Sequence, residues 1–279
     1  MSKRIALFAG VLILGGCAAQ IQQPVRRCEG KKTAAEAIET LNSHRDKAMP
    51  IRAAGQCLLR YHLEGKQHKE NFPVKLWINP PDGIYLQGDV AFNATGLVLG
   101  SNADEFWFWL KPKEISSYWW GRWSQAGTWN SLVLSPTALL EAFGSVNLHD
   151  GRSSLTRIDG LDVLVLHNEQ GTVLKRVYIE PCNYVVSKIE YLDSAGRFGR
   201  AEFADYQQID DGFSVPTSIN IIAFSSDGNN DSVRISLNTV KPTEISQQQQ
   251  QRLFVRPQPR GFEHVYEIID GAAVEQKTE

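Results

Sequence analysis

From residue 56 onward, apolar side chains return at every second position, and this alternation limits the chain to strands. Cys57, Leu59, Tyr61 and Leu63 alternate with Gln56, Arg60, His62 and Glu64. Val74, Leu76 and Ile78 continue the pattern, followed by Ile84, Leu86 and Val90, then Leu97 and Leu99. A period of two puts one set of side chains on each face of a strand, so each run reads as half-buried. Turn residues separate the runs, Pro80-Pro81-Asp82-Gly83 being the clearest case. Further runs fall at 105–110, 115–120, 153–158, 161–168, 172–180, 184–192, 198–206, 215–224 and 232–240. Short, consecutive runs of this kind pair most simply as antiparallel neighbours. The expectation is a mostly β (α+β) chain with about 11–13 strands.

One stretch breaks the rule of one dry and one wet face. DEFWFWLKPKEISSYWWGRW, residues 104–123, holds five of the seven tryptophans. In it Phe106, Phe108 and Leu110 share one strand face, while Trp107 and Trp109 share the other. An ordinary half-exposed strand is not aromatic on both sides. One face must fill the core; the other must lie under a helix, line a cavity, or meet lipid or a partner.

Two helices interrupt the strands. Thr33-Ala-Ala-Glu36 has the spacing of a capping box, and Ala37, Ile38 and Leu41 follow at helical intervals, predicting a helix over 33–48. Ser135-Pro136-Thr137, then Ala138 to Phe143 and Gly144, places serine at the cap, proline at the first turn and glycine past the end. After residue 242 the pattern changes. A glutamine tract at 247–251 suggests a helical turn begun at Ser246, and Val265, Ile268 and Ile269 suggest one last strand. The segment 243–279 therefore reads as an extension, partly extended and partly disordered, with its final residues 275–279 unstructured.

The N-terminus bears on compartment. Lys3 and Arg4 precede an apolar run, Ile5 to Leu14, of signal-peptide length and too short to span a bilayer. The run ends in Leu14-Gly15-Gly16-Cys17, which resembles the bacterial lipobox. That resemblance implies a signal peptide over 1–16, a lipid-modified Cys17, and a tether over 17–32. Several acyl chains on one residue anchor stably, so the implied partner is the membrane itself. If the cell is Gram-negative, Ala18 after the cysteine, rather than aspartate, points to the outer membrane. Without residues 1–16 the chain has 27 Lys+Arg against 31 Asp+Glu, a net charge of −4. With no basic run or basic-aromatic stripe, a nucleic-acid partner has no support. Cys57 sits in an alternating run and reads as a core thiol. Cys28 lies in the tether and Cys182 in a Pro-Cys-Asn turn, and the spacing alone does not decide their pairing.

Residues for chemistry are scarce. The chain has no Gly-x-Ser-x-Gly elbow, His-Glu-x-x-His, P-loop, Ser-x-x-Lys or Cys-x-x-Cys. His62 and His68 flank a hairpin on its polar face, at a spacing of no common metal site. His149-Asp150 near Ser153 is adjacent in sequence, which triads rarely are. Asp210-Asp211-Gly212 and Asp227 to Asp231 suit turns and lack the closing glutamate of a calcium loop. No enzyme, cofactor or metal is expected.

The element order (a helix, a run of strands, a Ser-Pro-capped helix, a second run) resembles the LolA–LolB family of lipoprotein carriers. Two stretches carry the resemblance locally. The first is GIYLQGDVAFNATGLVLGSNADEFWFWLKPKEISSYWWG; the second is SKIEYLDSAGRFGRAEFADYQQIDDGFSVPTSINI, with its Phe213-Ser-Val-Pro216 strand entry. The resemblance covers roughly residues 33–240 and implies, as a domain over 33–242, a strongly curved antiparallel half-barrel with helices covering its concave side. It implies an apolar cavity that holds a lipid or the acyl chains of lipoproteins, with Leu76, Ile78, Leu86, Leu97, Leu99, Trp107, Trp109 and Trp119 as wall candidates. The contrasting expectation is a structural or regulatory lipoprotein whose cavity is filled by its own helices and whose partner is an envelope protein.

Overall fold

The computed structural model describes residues 28–63, 65–90, 93–111, 116–125, 136–146, 148 and 152–276. In chain order the elements are α1 (Ala34–Arg45), β1 (Ile51–Leu63), β2 (Lys66–Asn79), β3 (Gly83–Val90), β4 (Asn93–Ser101), β5 (Glu105–Leu110) and β6 (Ser117–Arg122). Then come α2 (Pro136–Ala142), β7 (Ser153–Ile158), β8 (Leu161–His167), β9 (Val173–Ile179), β10 (Val186–Asp193), β11 (Gly196–Asp210), β12 (Phe213–Ala223) and β13 (Asp231–Pro242). The C-terminal segment supplies α3 (Gln247–Leu253), β14 (His264–Ile269) and β15 (Ala272–Gln276).

All of the strands belong to one curved, unclosed sheet in the order β15-β14-β6-β5-β4-β3-β2-β1-β13-β12-β11-β10-β9-β8-β7. Two antiparallel meanders, β1 to β6 and β7 to β13, are joined where β1 pairs with β13, Cys57 opposite Ile235. The half-barrel expectation therefore holds, with more strands than anticipated. The surplus comes from the C-terminal segment, which reaches the far edge of the sheet. There β14 pairs in parallel with β6, Val265 opposite Tyr118, and β15 completes a hairpin that includes Glu275 and Gln276.

Period two governs which residues go inside. Ala53, Leu76, Leu86, Leu99, Phe108 and Trp119 form one transverse row across β1 to β6. With Ile189, Tyr191, Ala201, Ile219 and Ile235 from the other meander they belong to a single core. Two helices cover this concave face. Ala37 and Leu41 of α1 and Ala138, Leu139, Leu140 and Phe143 at α2 are buried in the same core. α2 touches β3 and β4 on one side and β12 on the other, so it lies across the opening.

Caps explain where the helices begin and end. Thr33 Oγ1 accepts from the Glu36 amide at 3.2 Å, as the sequence suggests. The return bond of a capping box is shifted, because the Glu36 carboxylate accepts from the Lys32 amide instead. Pro136 opens α2 and Gly144 follows it at φ +93°. The proposed serine cap, Ser135, lies outside the described residues. Ser246 and Gln249 make a complete capping box at α3.

Candidate functional site

The concave face under α1 and α2 is the candidate site. Its wall is apolar over the whole of the first meander, and six of the eight wall candidates line it. Leu76, Ile78, Leu86, Leu97 and Leu99 are each at most 5% exposed, and Trp119 packs half-buried against the same cluster. These residues touch protein and leave little open space. The pocket among Leu41, His44, Ala142, Val186 and Tyr206 has a volume of about 50 Å³. Binding sites for small molecules begin near 300 Å³. A trough of about 760 Å³ along the solvent side of α1, past Ile38, Glu39 and Lys47, is a surface feature rather than a chamber. Among the described residues the concave site is thus closed.

Trp107 and Trp109 do not join this wall. They lie on the outer face with Val98, Tyr118 and Val265 in a separate cluster. What covers them is the C-terminal segment, not a helix. Leu253 at the end of α3 and Phe254 after it are buried, and Phe254 passes the ends of β3 and β4, where Asn102 Nδ2 donates to its carbonyl at 2.9 Å. Arg256 then donates from Nε to the Glu105 carboxylate at 2.7 Å and lies 3.9 Å over the Trp120 ring. The Tyr118 hydroxyl donates to the Pro257 carbonyl at 2.8 Å, and Phe262 packs against Tyr118 and Trp109. Trp107 meets no solvent because Gly100 opposite it has no side chain; a Cβ there would fall 2.3 Å from the indole. Trp123, beyond β6, packs on Phe106 with ring centroids 4.7 Å apart.

A buried polar group holds α2 in place. Glu141 is wholly buried, and its carboxylate meets the Lys175 ammonium from β9 and accepts from the Tyr191 hydroxyl of β10. Burial, then the adjacent Glu141 charge and its hydrogen bond, push the Tyr191 hydroxyl far above its ordinary range, so it stays a donor. Sequence reasoning missed this trio, though it left one signal. Glu141 is the only charge in the segment PTALLEA, and a lone carboxylate on an otherwise apolar helix must find a partner.

The N-terminal end of the domain is fixed by a disulfide, Cys28–Cys182, with a sequence separation of 154. Cys57 is a free, buried thiol, pushed up to about 12 by burial. Beside the disulfide, Asp162 accepts from the Lys31 amide at 2.7 Å and from Arg157 at 2.9 Å. Among the described residues no cluster of three or more His, Cys, Asp or Glu could hold a metal. His62 contacts Asp231 at 3.0 Å, and Asp227 accepts from Asn229 within its turn. His149, Asp150 and Cys17 lie outside the described residues. No described helix is long and apolar enough to cross a membrane.

No family model and no curated protein matches the sequence. Solved structures do match the fold. A domain ascribed to outer membrane lipoprotein sorting from Vibrio parahaemolyticus has a TM-score of 0.54 at 17% identity, covering 78% of this chain and 96% of its own. A DUF1329 family protein from Desulfovibrio piger has a TM-score of 0.50 at 14% identity, over 79% and 97% of the two chains. A LolA superfamily protein from Nitrosomonas europaea has a TM-score of 0.50 at 12% identity, over 81% and 99%. Curved sheet, helix-covered concave face and element order together give this chain the LolA-like fold of lipoprotein-sorting domains.

Proposed function

We propose that this is a cell-envelope lipoprotein, anchored through Cys17 and facing the periplasm from the outer membrane, that shelters an apolar chain beneath α1 and α2 without catalysing a reaction. The observation that carries the reading is the unbroken apolar row from Ala53 to Trp119 under a short helix, α2. The fold likeness to lipoprotein-sorting domains supports it, and Cys28–Cys182 suits an exported protein, since disulfides persist in oxidising compartments. The ligand would be a lipid or the acyl end of another lipoprotein, each buried methylene contributing about 0.8 kcal/mol. Entry requires α2 to move, because the closed pocket of about 50 Å³ holds no acyl chain.

The same small pocket favours a second reading. In it the helices fill the interior permanently, and the protein works through a surface that meets an envelope protein. Organic extraction and mass spectrometry of the purified Cys17→Ser chain decide between the two. Stoichiometric lipid, or saturable binding of a fluorescent fatty acid, supports shelter of an apolar chain. A compact protein with neither overturns it. Membrane fractionation tests the anchor separately, since Cys17→Ser should release the protein into the periplasm.

A further inference from the structure

The outer face of β9 to β11 carries more positive charge than its own carboxylates neutralise. Glu190 of β10 sits at the centre, its side chain 7% exposed. One carboxylate oxygen is 2.8 Å from Arg197 Nη1 and 3.5 Å from Lys188 Nζ. The other accepts from the Tyr178 hydroxyl at 2.9 Å and lies 3.6 Å from Arg176 Nη1. Burial alone would raise the Glu190 carboxyl; hydrogen bonds from Tyr178 and Arg197, with the charges of Lys188 and Arg197, outweigh it and hold the group ionised below its ordinary range. One negative charge thus orders three cations. Arg200, next to them, lies 3.2 Å from Glu202 and adds no surplus.

The three cations still reach solvent. The side chains of Arg176, Lys188 and Arg197 are 42%, 31% and 44% exposed. Their positions are fixed by aromatic rings as well as by Glu190. Lys188 Nζ is 3.7 Å over the Tyr178 ring, and the Arg197 guanidinium is 4.9 Å over Phe224. Holding like charges together in this way costs the isolated protein stability, and an anionic partner offsets that cost.

A second observation places the start of the described chain beside these strands. Cys28 is bonded to Cys182, in the turn between β9 and β10, the hairpin that carries Arg176 and Lys188; Arg197 follows on β11. Arg26 and Arg27 precede that point, and exposed Lys31 and Lys32 follow it. Residues 17 to 28 span at most about 40 Å when fully extended.

We propose that Arg176, Lys188 and Arg197 form a docking face for an anionic lipid surface, with headgroup phosphates as the ligands and the Cys28–Cys182 staple presenting the face to it. The orientation rests on the anchor at Cys17; the charge complementarity does not. Each cation near such a surface strengthens binding about fivefold.

The test uses residues 18–279, which carry neither the signal peptide nor an acyl group, sedimented with vesicles at low salt. Vesicles of phosphatidylglycerol and phosphatidylcholine in equal parts should bind it, and pure phosphatidylcholine should not. Arg176→Gln with Lys188→Gln, which leaves the Arg197–Glu190 bond in place, should weaken binding about 25-fold. Lys241→Gln, at an exposed position of β13, should leave it unchanged, and circular dichroism checks that each variant is folded. Equal binding to both vesicle types, or full binding by the double variant, overturns the proposal. So does release by inorganic phosphate well beyond that by chloride of equal ionic strength, which would assign the cations to a free anion. A negative result leaves the anchor standing, because that fails only if wild type and Cys17→Ser fractionate alike.

Discussion

Glu141 of α2 lies against the Lys175 ammonium of β9, and its side chain has no solvent exposure while that of Lys175 keeps 20%. The pair ties the helix that crosses the concave face to the far meander of the sheet. Removing one partner strands the other. Glu141→Ala should therefore cost about 3 kcal/mol, at the low end for a broken buried pair because Lys175 retains some water. Glu141→Gln combined with Lys175→Met removes both charges and should recover most of the loss. Urea unfolding monitored by fluorescence measures both; an alanine variant as stable as wild type would mean α2 is not held by this contact.

Gly100 and Trp107 face each other across β4 and β5 so closely that neither tolerates change alone. Gly100→Ala puts a methyl 2.3 Å from the indole and should cost about 1–3 kcal/mol as overpacking. Trp107→Leu leaves a cavity and should cost about 2–4 kcal/mol. In the double variant the methyl occupies space that the indole vacates. A double-mutant cycle should then give a sum short of additivity by at least about 1 kcal/mol. Strict additivity would show that the two residues are not in contact.

The C-terminal segment should behave as part of the domain. Arg256→Ala loses a charged hydrogen bond to Glu105 and the stacking on Trp120, both largely sheltered, for a destabilisation of about 2 kcal/mol. Ending the chain at Pro242 uncovers Trp109, Tyr118 and the β6 edge together. That shortened chain should bind an apolar dye and associate through the exposed edge, as gel filtration would show.

These contacts mark the boundary of what the sequence discloses. Alternation in β1 to β6 and β8 to β13 is local, so the apolar positions announce their own face, and Leu76, Leu86 and Leu99 could be assigned to one wall. Two-sided aromaticity in β5 is equally visible, but it offers a helix, a cavity, lipid or a partner for the second face, and the C-terminal segment that covers it is none of these. The nature of that cover was not visible. It depends on Tyr118 meeting Pro257 and on β14 joining β6, pairings across 139 and 147 residues that no local period encodes. The expectation that Trp107 and Trp109 line the concave wall fails for this reason, since the pleat puts them on the face opposite Phe108. Glu141 was hidden for the same reason, its partners lying 34 and 50 residues away.

The thiols offer a simple check on the covalent frame. With Cys17→Ser, the native oxidised chain should give almost no reaction with a thiol reagent at neutral pH, because Cys57 is buried and held protonated. Unfolding without reductant should expose one thiol, and unfolding with reductant three. Reducing Cys28–Cys182 in the native state should lower stability by about 2–4 kcal/mol by freeing a long loop in the unfolded chain.

Alkaline pH should unfold this protein earlier than its neutral stability suggests. Burial raises Cys57 to about 12 and also raises Tyr118, Tyr191 and Tyr206. For each, the folded state disfavours the ionised form, so the unfolded chain loses its proton first. The contribution is intact below the unfolded value, near 9 for the thiol and 10 for the phenols, and is lost as pH rises toward the folded value. Between those limits each group takes away about 1.4 kcal/mol per pH unit. Stability should be level up to pH 9, decline gently to pH 10 as the thiol alone titrates, then fall steeply as the tyrosines join. Cys57→Ala should remove the gentle part and leave the steep part, and urea midpoints across this range measure both. A midpoint that stays flat to pH 11 in the wild type would mean that these hydroxyls reach water in the folded protein.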